Sequence, residues 1–296
     1  MRYFVAHIYK LAVILHNSLK IKTLMKFNII IFLTTILLSF QCVNGQDRQI
    51  TKIESVQSLY IESFFDSQFL GSATGFIIKS KTQNYLITNW HVATNKDPNT
   101  EKWINPNSQV SPNKIKILQN SKILGEYSIT EEELIAKNGS KLFSEFKINN
   151  SIVDVVAIPI KDTISNVKLY PVNYNKTSDS IIVMPTDRVF VLGFPKGFKS
   201  APALPIWKSG LIASEPDIDQ EGKPIIWIDI LGYGGMSGSP VYLITDKLNY
   251  KNGSSSNLIG GTETFFMGVF SHGQFDISTG ALWKGTYLKS LFNSLP

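Results

Sequence analysis

Gly234-Gly235-Met236-Ser237-Gly238-Ser239-Pro240, with Val241-Tyr242-Leu243-Ile244 directly behind it, is the stretch on which the reading of this chain turns. Three glycines and a proline mark a tight turn, and the apolar run after them predicts a strand. A serine in such a turn is presented outward, and its flanking backbone N–H groups are free to converge on one point. That suits an acyl-transfer nucleophile with an oxyanion hole. Gly235 permits close backbone approach because it has no Cβ. Ser239 precedes proline and is pushed into extended backbone. Ser237 sits at the bend, with its own N–H and that of Gly235 facing one side, and is the nucleophile candidate. Read alone, the turn equally suits an ordinary β-turn, since Gly and Ser dominate turns.

The partners such a serine needs come earlier in the chain. Only two of the four histidines, His91 and His272, lie beyond residue 45. His91 closes the predicted strand Tyr85-Leu86-Ile87-Thr88-Asn89-Trp90 and opens a helical turn at Val92-Ala93. A histidine there can also be purely structural. Asp154 interrupts the apolar run Ile152-Val153-Asp154-Val155-Val156-Ala157-Ile158. A carboxylate in such a run is costly unless paired, and an imidazole N–H is one donor for it; the alternative is a solvated strand end. The order His91, Asp154, Ser237 is that of chymotrypsin-like enzymes, and differs from subtilisin and the α/β-hydrolases. The pattern G-x-S-x-G fails, because Ser239 stands where its last glycine belongs.

With these residues the chain resembles the trypsin-like (chymotrypsin-fold) serine peptidases of the bacterial exported type. The segments that carry the resemblance are Gly75-Phe76-Ile77-Ile78, Leu86 to Val92, Asp154 to Ile158, Gly193-Phe194-Pro195-Lys196-Gly197 and Gly235 to Pro240. They keep the family's order over residues 55 to 290. The resemblance implies an all-β fold of two six-stranded antiparallel β-barrels with the active site between them. It implies His91 and Asp154 from the first barrel and Ser237 from the second, with the N–H groups of Gly235 and Ser237 as the oxyanion hole. It implies that Ser271 hydrogen-bonds near the acid. It places Leu231 at the base of the primary pocket and Ser271-His272-Gly273 along its wall, where an extended substrate would pair. An apolar Leu231 argues against cleavage after lysine or arginine and favours a neutral, apolar residue; His272 makes an acidic one the runner-up. Met236 departs from the family, whose digestive members have aspartate there to bind a new N-terminus, so activation by N-terminal insertion is not expected.

Composition sets the compartment. The 296 residues carry 29 basic and 23 acidic side chains, a net charge of +6. Residues 1–45 hold Arg2, Lys10, Lys20, Lys22 and Lys26 and no acid, so the remainder has a net charge of +1. The basic excess is therefore no argument for nucleic acid. Met25-Lys26 followed by the apolar run Phe27 to Phe40 reads as an export signal, too short for a membrane span, with cleavage before Gln46; residues 1–24 are then an upstream extension. An uncleaved anchor and a lipid on Cys42 are the alternatives. Cys42 is the only cysteine. The mature chain would have none, which excludes disulfides, a cysteine nucleophile and a thiolate metal site. Two histidines without cysteine make a zinc site poor, though carboxylates could complete one; no metal and no cofactor are expected, and the partner expected is a polypeptide substrate.

Domains follow from the strand pattern. Strands are predicted at Val56 to Phe65, Phe69 to Lys79, Tyr85 to Trp90, Ile115 to Leu118, Ile123 to Ile129 and Ile152 to Ile160. The second series is Val189 to Phe194, Leu204 to Ser214, Ile225 to Leu231, Val241 to Ile244 and Phe265 to Ser271. Glu131-Glu132-Glu133 reads as a solvated turn, 95–113 and 251–261 as loops, 161–187 as a linker and 288–295 as a short terminal helix. The expected division is 1–45 leader, 46–180 first barrel with linker, and 181–296 second barrel with helix. The function expected is an exported serine endopeptidase. A catalytically inactive peptidase fold used for binding competes with it, as does a calcium-binding β module suggested by Asp217, Asp219 and Glu221.

Overall fold

Short antiparallel strands joined by tight turns make up most of the chain. The computed structural model describes residues 52–161, 166–200, 202–274 and 277–296, of which 272–274 by backbone alone. The leader and the cleavage site lie outside the described residues. One helical turn, α1 (Glu54–Gln57), opens the described chain. β1 (Ser58–Phe65), β2 (Gln68–Lys79) and β3 (Asn84–Thr88) follow, then a second helical turn, α2 (Trp90–Thr94). β4 (Lys114–Asn120), β5 (Tyr127–Glu133), β6 (Ser144–Ile148) and β7 (Ser151–Pro159) complete one sheet, in the order β5-β4-β1-β2-β3-β7-β6. β8 (Arg188–Gly193), β9 (Ile206–Ile212), β10 (Ile225–Asp229) and β11 (Pro240–Thr245) begin the second half. A small hairpin, β12 (Lys247–Asn249) and β13 (Ser255–Asn257), leads to β14 (Glu263–Gln274), β15 (Thr279–Lys284) and the terminal helix α3 (Gly285–Asn293).

The second half closes as expected into a six-stranded barrel, β10-β15-β14-β11-β8-β9. The first half departs from the expected six-stranded barrel. It is a seven-stranded sheet, and its edge strands β5 and β6 are not joined by a ladder. The chain between them turns at Leu134–Leu142, where the Leu142 N–H donates to the Leu134 carbonyl (2.9 Å) and Ile135 bridges Lys141. Glu131 and Glu133 keep the outer side of β5 charged, which blunts an edge strand. The β6–β7 ladder shifts register between Glu145 and Lys147.

The glutamate triplet is thus strand, not turn. β5 pairs with β4 so that Lys116 faces Glu131 and Lys114 faces Glu133. Glu131 lies 3.3 Å from both lysines, while Glu132 turns inward, 5% exposed, and accepts the Lys161 N–H at 2.9 Å. The predicted strand at Ile123 starts later, at Tyr127, and part of the 251–261 loop is the strand β13.

Three apolar clusters organise the packing. Leu59, Ile61, Ile77, Leu86, Ile115, Ile117, Val156 and Ile158 fill the inside of the first sheet. Val189, Val191, Ile226, Ile228, Val241, Leu243 and Leu282 fill the second barrel. A third cluster joins the halves: Phe76, Ile87, Val153 and Val155 meet Leu192, Phe266, Trp283, Leu288 and Phe292. β7 therefore serves two cores, its odd residues facing the junction and its even ones the first sheet. That explains its near-continuous apolar run, the pattern of a strand buried on both faces.

Candidate active site

α2 begins one residue after β3, so its first turn fixes where His91 stands. Asn89 bridges the two elements, and its Nδ2 donates to the Asp154 backbone carbonyl at 2.6 Å. β7 runs beside β3, with Val156 opposite Thr88, and this brings Asp154 under the helical turn. Asp154 is fully buried. Its Oδ1 accepts the His91 backbone N–H at 3.0 Å, and the imidazole Nδ1 lies 2.8 Å from Oδ2. The Ser271 hydroxyl, from β14, donates to Oδ2 at 2.5 Å. The alternative of a solvated strand end does not hold for this carboxylate. His91 Nε2 reaches Ser237 Oγ at 2.9 Å. Burial pulls the imidazole pKa down, but the charge and hydrogen bond of Asp154, aided by Asp97, more than offset it, and the pKa ends above its ordinary value.

The Ser237 turn is held peptide by peptide. The Gly234 carbonyl accepts the Lys196 N–H at 2.6 Å, so the Gly235 N–H, across a trans peptide, points the opposite way. The Gly235 carbonyl accepts the Thr74 hydroxyl at 2.8 Å. The Met236 carbonyl accepts both the hydroxyl (2.6 Å) and the N–H (3.0 Å) of Ser239, which turns the Ser237 N–H away from it. Gly235 has φ +91°, and a side chain there would run into the Phe194 carbonyl. Gly193 leaves the room that Thr74 and Ser239 need, since a Cβ on it would overlap Ser239 Oγ. Met236 is buried in the second barrel's core, where an ion-pairing residue would otherwise have to be accommodated.

A cavity of about 220 Å³ opens over these groups, lined by His91, Asp97, Ile104, Tyr233, Ser237 and Phe270 among others. Leu231 is 39% exposed and does not line it, while Gly232 does. β14 carries the backbone of Ser271, His272 and Gly273; the His272 side chain lies outside the described residues. Sequence reading missed Thr74, Asn89, Asp97 and Tyr233. A polar residue beside the apolar runs at Thr74 and Asn89 was the available signal. Among the described residues no three His, Cys, Asp or Glu side chains gather as for a metal. Asp217 and Asp219 face Lys251 (3.5 Å) and Lys284 (2.7 Å).

A family profile described as trypsin-like peptidase domain matches residues 73–248, more than half of the chain, from within β2 to beyond Ser237. The chain belongs to the trypsin-like peptidase family. No curated protein matches this trypsin-like peptidase in sequence. Among solved structures it is similar to the serine endoprotease from Yersinia pestis, with 14% identity and a TM-score of 0.46 over 83% of this chain and 68% of that one. It is also similar to the thermostable serine protease AL20 from an extremophilic microorganism, with 13% identity and a TM-score of 0.46 over 82% and 97%. No helix of the described residues in this trypsin-like peptidase is long and apolar enough to cross a membrane.

Proposed function

We propose that this trypsin-like peptidase is an exported serine endopeptidase that cleaves polypeptides through an acyl-enzyme, with Ser237 as nucleophile, His91 as general base and Asp154 orienting the imidazole. The observation that carries the proposal is the His91 ring, 2.8 Å from the Asp154 carboxylate and 2.9 Å from Ser237 Oγ. His91 Nε2 takes the hydroxyl proton as Oγ attacks the scissile carbonyl. The carboxylate at Nδ1 fixes the tautomer that leaves Nε2 free and stabilises the imidazolium. The carbonyl oxygen, now anionic, is received by the N–H groups of Gly235 and Ser237. His91 then hands its proton to the departing amine, the acyl group stays on Ser237, and a water activated by His91 releases it. The acyl half of the substrate pairs with the Ser271–Gly273 edge, and its side chain enters the cavity at Tyr233 and Phe270 rather than one based on Leu231.

Division of the mature chain near residue 180 is part of the same proposal, supported by β1–β7 and β8–β15 belonging to separate sheets. So is removal of residues 1–45 on export. A fluorophosphonate probe tests the chemistry. One probe per chain on the Ser237 peptide, abolished in Ser237→Ala and in His91→Ala, is expected. An unlabelled, folded protein would instead leave the inactive binding fold.

A further inference from the structure

Between Asp187 and Glu215 the chain carries Arg188, Lys196, Lys199 and Lys208 and no acid. This segment includes the turn stacked on the Ser237 loop, where the Lys196 N–H holds the Gly234 carbonyl. The side chains of three of its lysines are laid over aromatic rings beside the candidate site. Lys196 Nζ lies 5.2 Å and Lys208 Nζ 4.8 Å from the centre of the Tyr233 ring, which lines the cavity with His91 and Ser237. Lys199 Nζ lies 3.5 Å from the centre of the Tyr60 ring, and Tyr60 packs edge-on against Phe194 at 5.5 Å. Among the described residues Lys196, Lys199 and Lys208, like several other surface lysines, have no carboxylate within 4 Å, and Lys199 Nζ donates to the Gly197 carbonyl at 3.3 Å. The acid on this face, Glu62, accepts from the Tyr60 hydroxyl at 3.0 Å. Burial lowers the Lys208 pKa, a cost that an arriving anion would relieve.

The position of this face decides what meets it. On the functional reading above, on which this inference rests, the acyl half of a substrate lies along Ser271–Gly273. The leaving half must then depart across the other side of Ser237, past Gly235 and the 194–199 turn. We propose that this face receives the stretch of polypeptide beyond the scissile bond and selects acidic side chains in it. Aromatic rings hold the ammonium groups in place without neutralising them, so the charge stays available to a passing carboxylate.

Two peptides differing only in Glu-Glu or Gln-Gln at the second and third positions after the cleaved bond test this, beside an acyl p-nitroanilide with no residue there. The mature protein is expected to favour the Glu-Glu peptide in kcat/KM by about tenfold at low salt, the advantage shrinking by about 0.5 M salt. Each of Lys196→Gln, Lys199→Gln and Lys208→Gln should cut that ratio by about twofold to threefold, and Lys199→Arg should keep it. Equal cleavage of both peptides, with the anilide turned over, would overturn the inference and leave the peptidase reading standing. A preference that survives in the triple glutamine variant would take it away from these lysines. No turnover of any of the three compounds would overturn both.

Discussion

Ser239 and Thr74 supply the hydroxyls that brace the Ser237 turn. Each donates to a carbonyl of that turn, and the Thr74 oxygen also accepts the Phe194 N–H at 3.2 Å. Thr74→Val keeps the shape but strands a buried carbonyl and a buried N–H, which costs about 2–4 kcal/mol in stability. We expect kcat to fall by about tenfold or more with little change in KM, since an oxyanion donor out of place weakens only the transition state, and Thr74→Ser to restore it. Steady-state kinetics and thermal melts on the three proteins check both parts. On the proposed function, His91 supplies the pH dependence. The imidazole works as base only when neutral, so kcat/KM is lost as pH falls through its raised pKa. Asp154→Asn removes the main influence that raises it and should move the acid limb to lower pH, with kcat down about 10⁴-fold. A limb that stays in place in the pH–rate profile would separate His91 from that titration. Asp154 stood out because a carboxylate breaks its apolar run, and His91 and Ser237 stood out through their order with it along the chain. The bracing by Thr74 and Ser239 was not legible: a polar residue beside an apolar run marks Thr74 as unusual and no more, a serine before a proline breaks no rule, and their work depends on contacts 161 residues apart and across a turn.

Among elements, α3 is the one whose position matters most for the whole. Its Phe292 meets Tyr174 at 5.5 Å and Phe146 of β6 at 6.3 Å, so the last helix is fastened to the first sheet. Phe292→Ala should destabilise the protein by about 3–5 kcal/mol. Urea unfolding should show the midpoint falling, with turnover per folded molecule preserved at 25 °C. A midpoint unchanged by the substitution would mean the helix contributes nothing to holding the halves together. The helix was expected at 288–295, and it starts three residues earlier. β5 was legible only in part, because a run of three glutamates looks solvated until Lys114 and Lys116 are known to lie opposite. β6 and β15 were not seen at all. Ser-Glu-Phe-Lys-Ile is too short to show a period, and Thr279–Lys284 gains its burial from β14 and β10, its neighbours in the closed barrel.

For the molecule as a whole, the all-β class was written in the alternation of apolar runs and turns, whereas the full number of strands and the closure of the sheets were not. Whether a sheet seals into a barrel depends on its edge strands, and edges are defined only by what fails to pair. The leader sets the remaining expectation at this scale. Intact-mass measurement of the exported protein should find a chain starting near Gln46, and a melting temperature unmoved by reductant, since that chain has no cysteine. Retention of residues 1–45 on the exported form would refute the processing. The groups that meet at Ser237 come from both halves: His91 and Asp154 ride on the first sheet, Ser237 and Ser271 on the barrel, and the clusters behind them join only when the halves pack. On the proposed function this has a consequence for timing. A chain crossing a membrane unfolded carries an unactivated hydroxyl, an idle imidazole and a lone carboxylate, harmless to the machinery that conveys it. The final docking of the halves is then itself the safety catch, released only after the protein has left the place where its own cell's polypeptides are within reach.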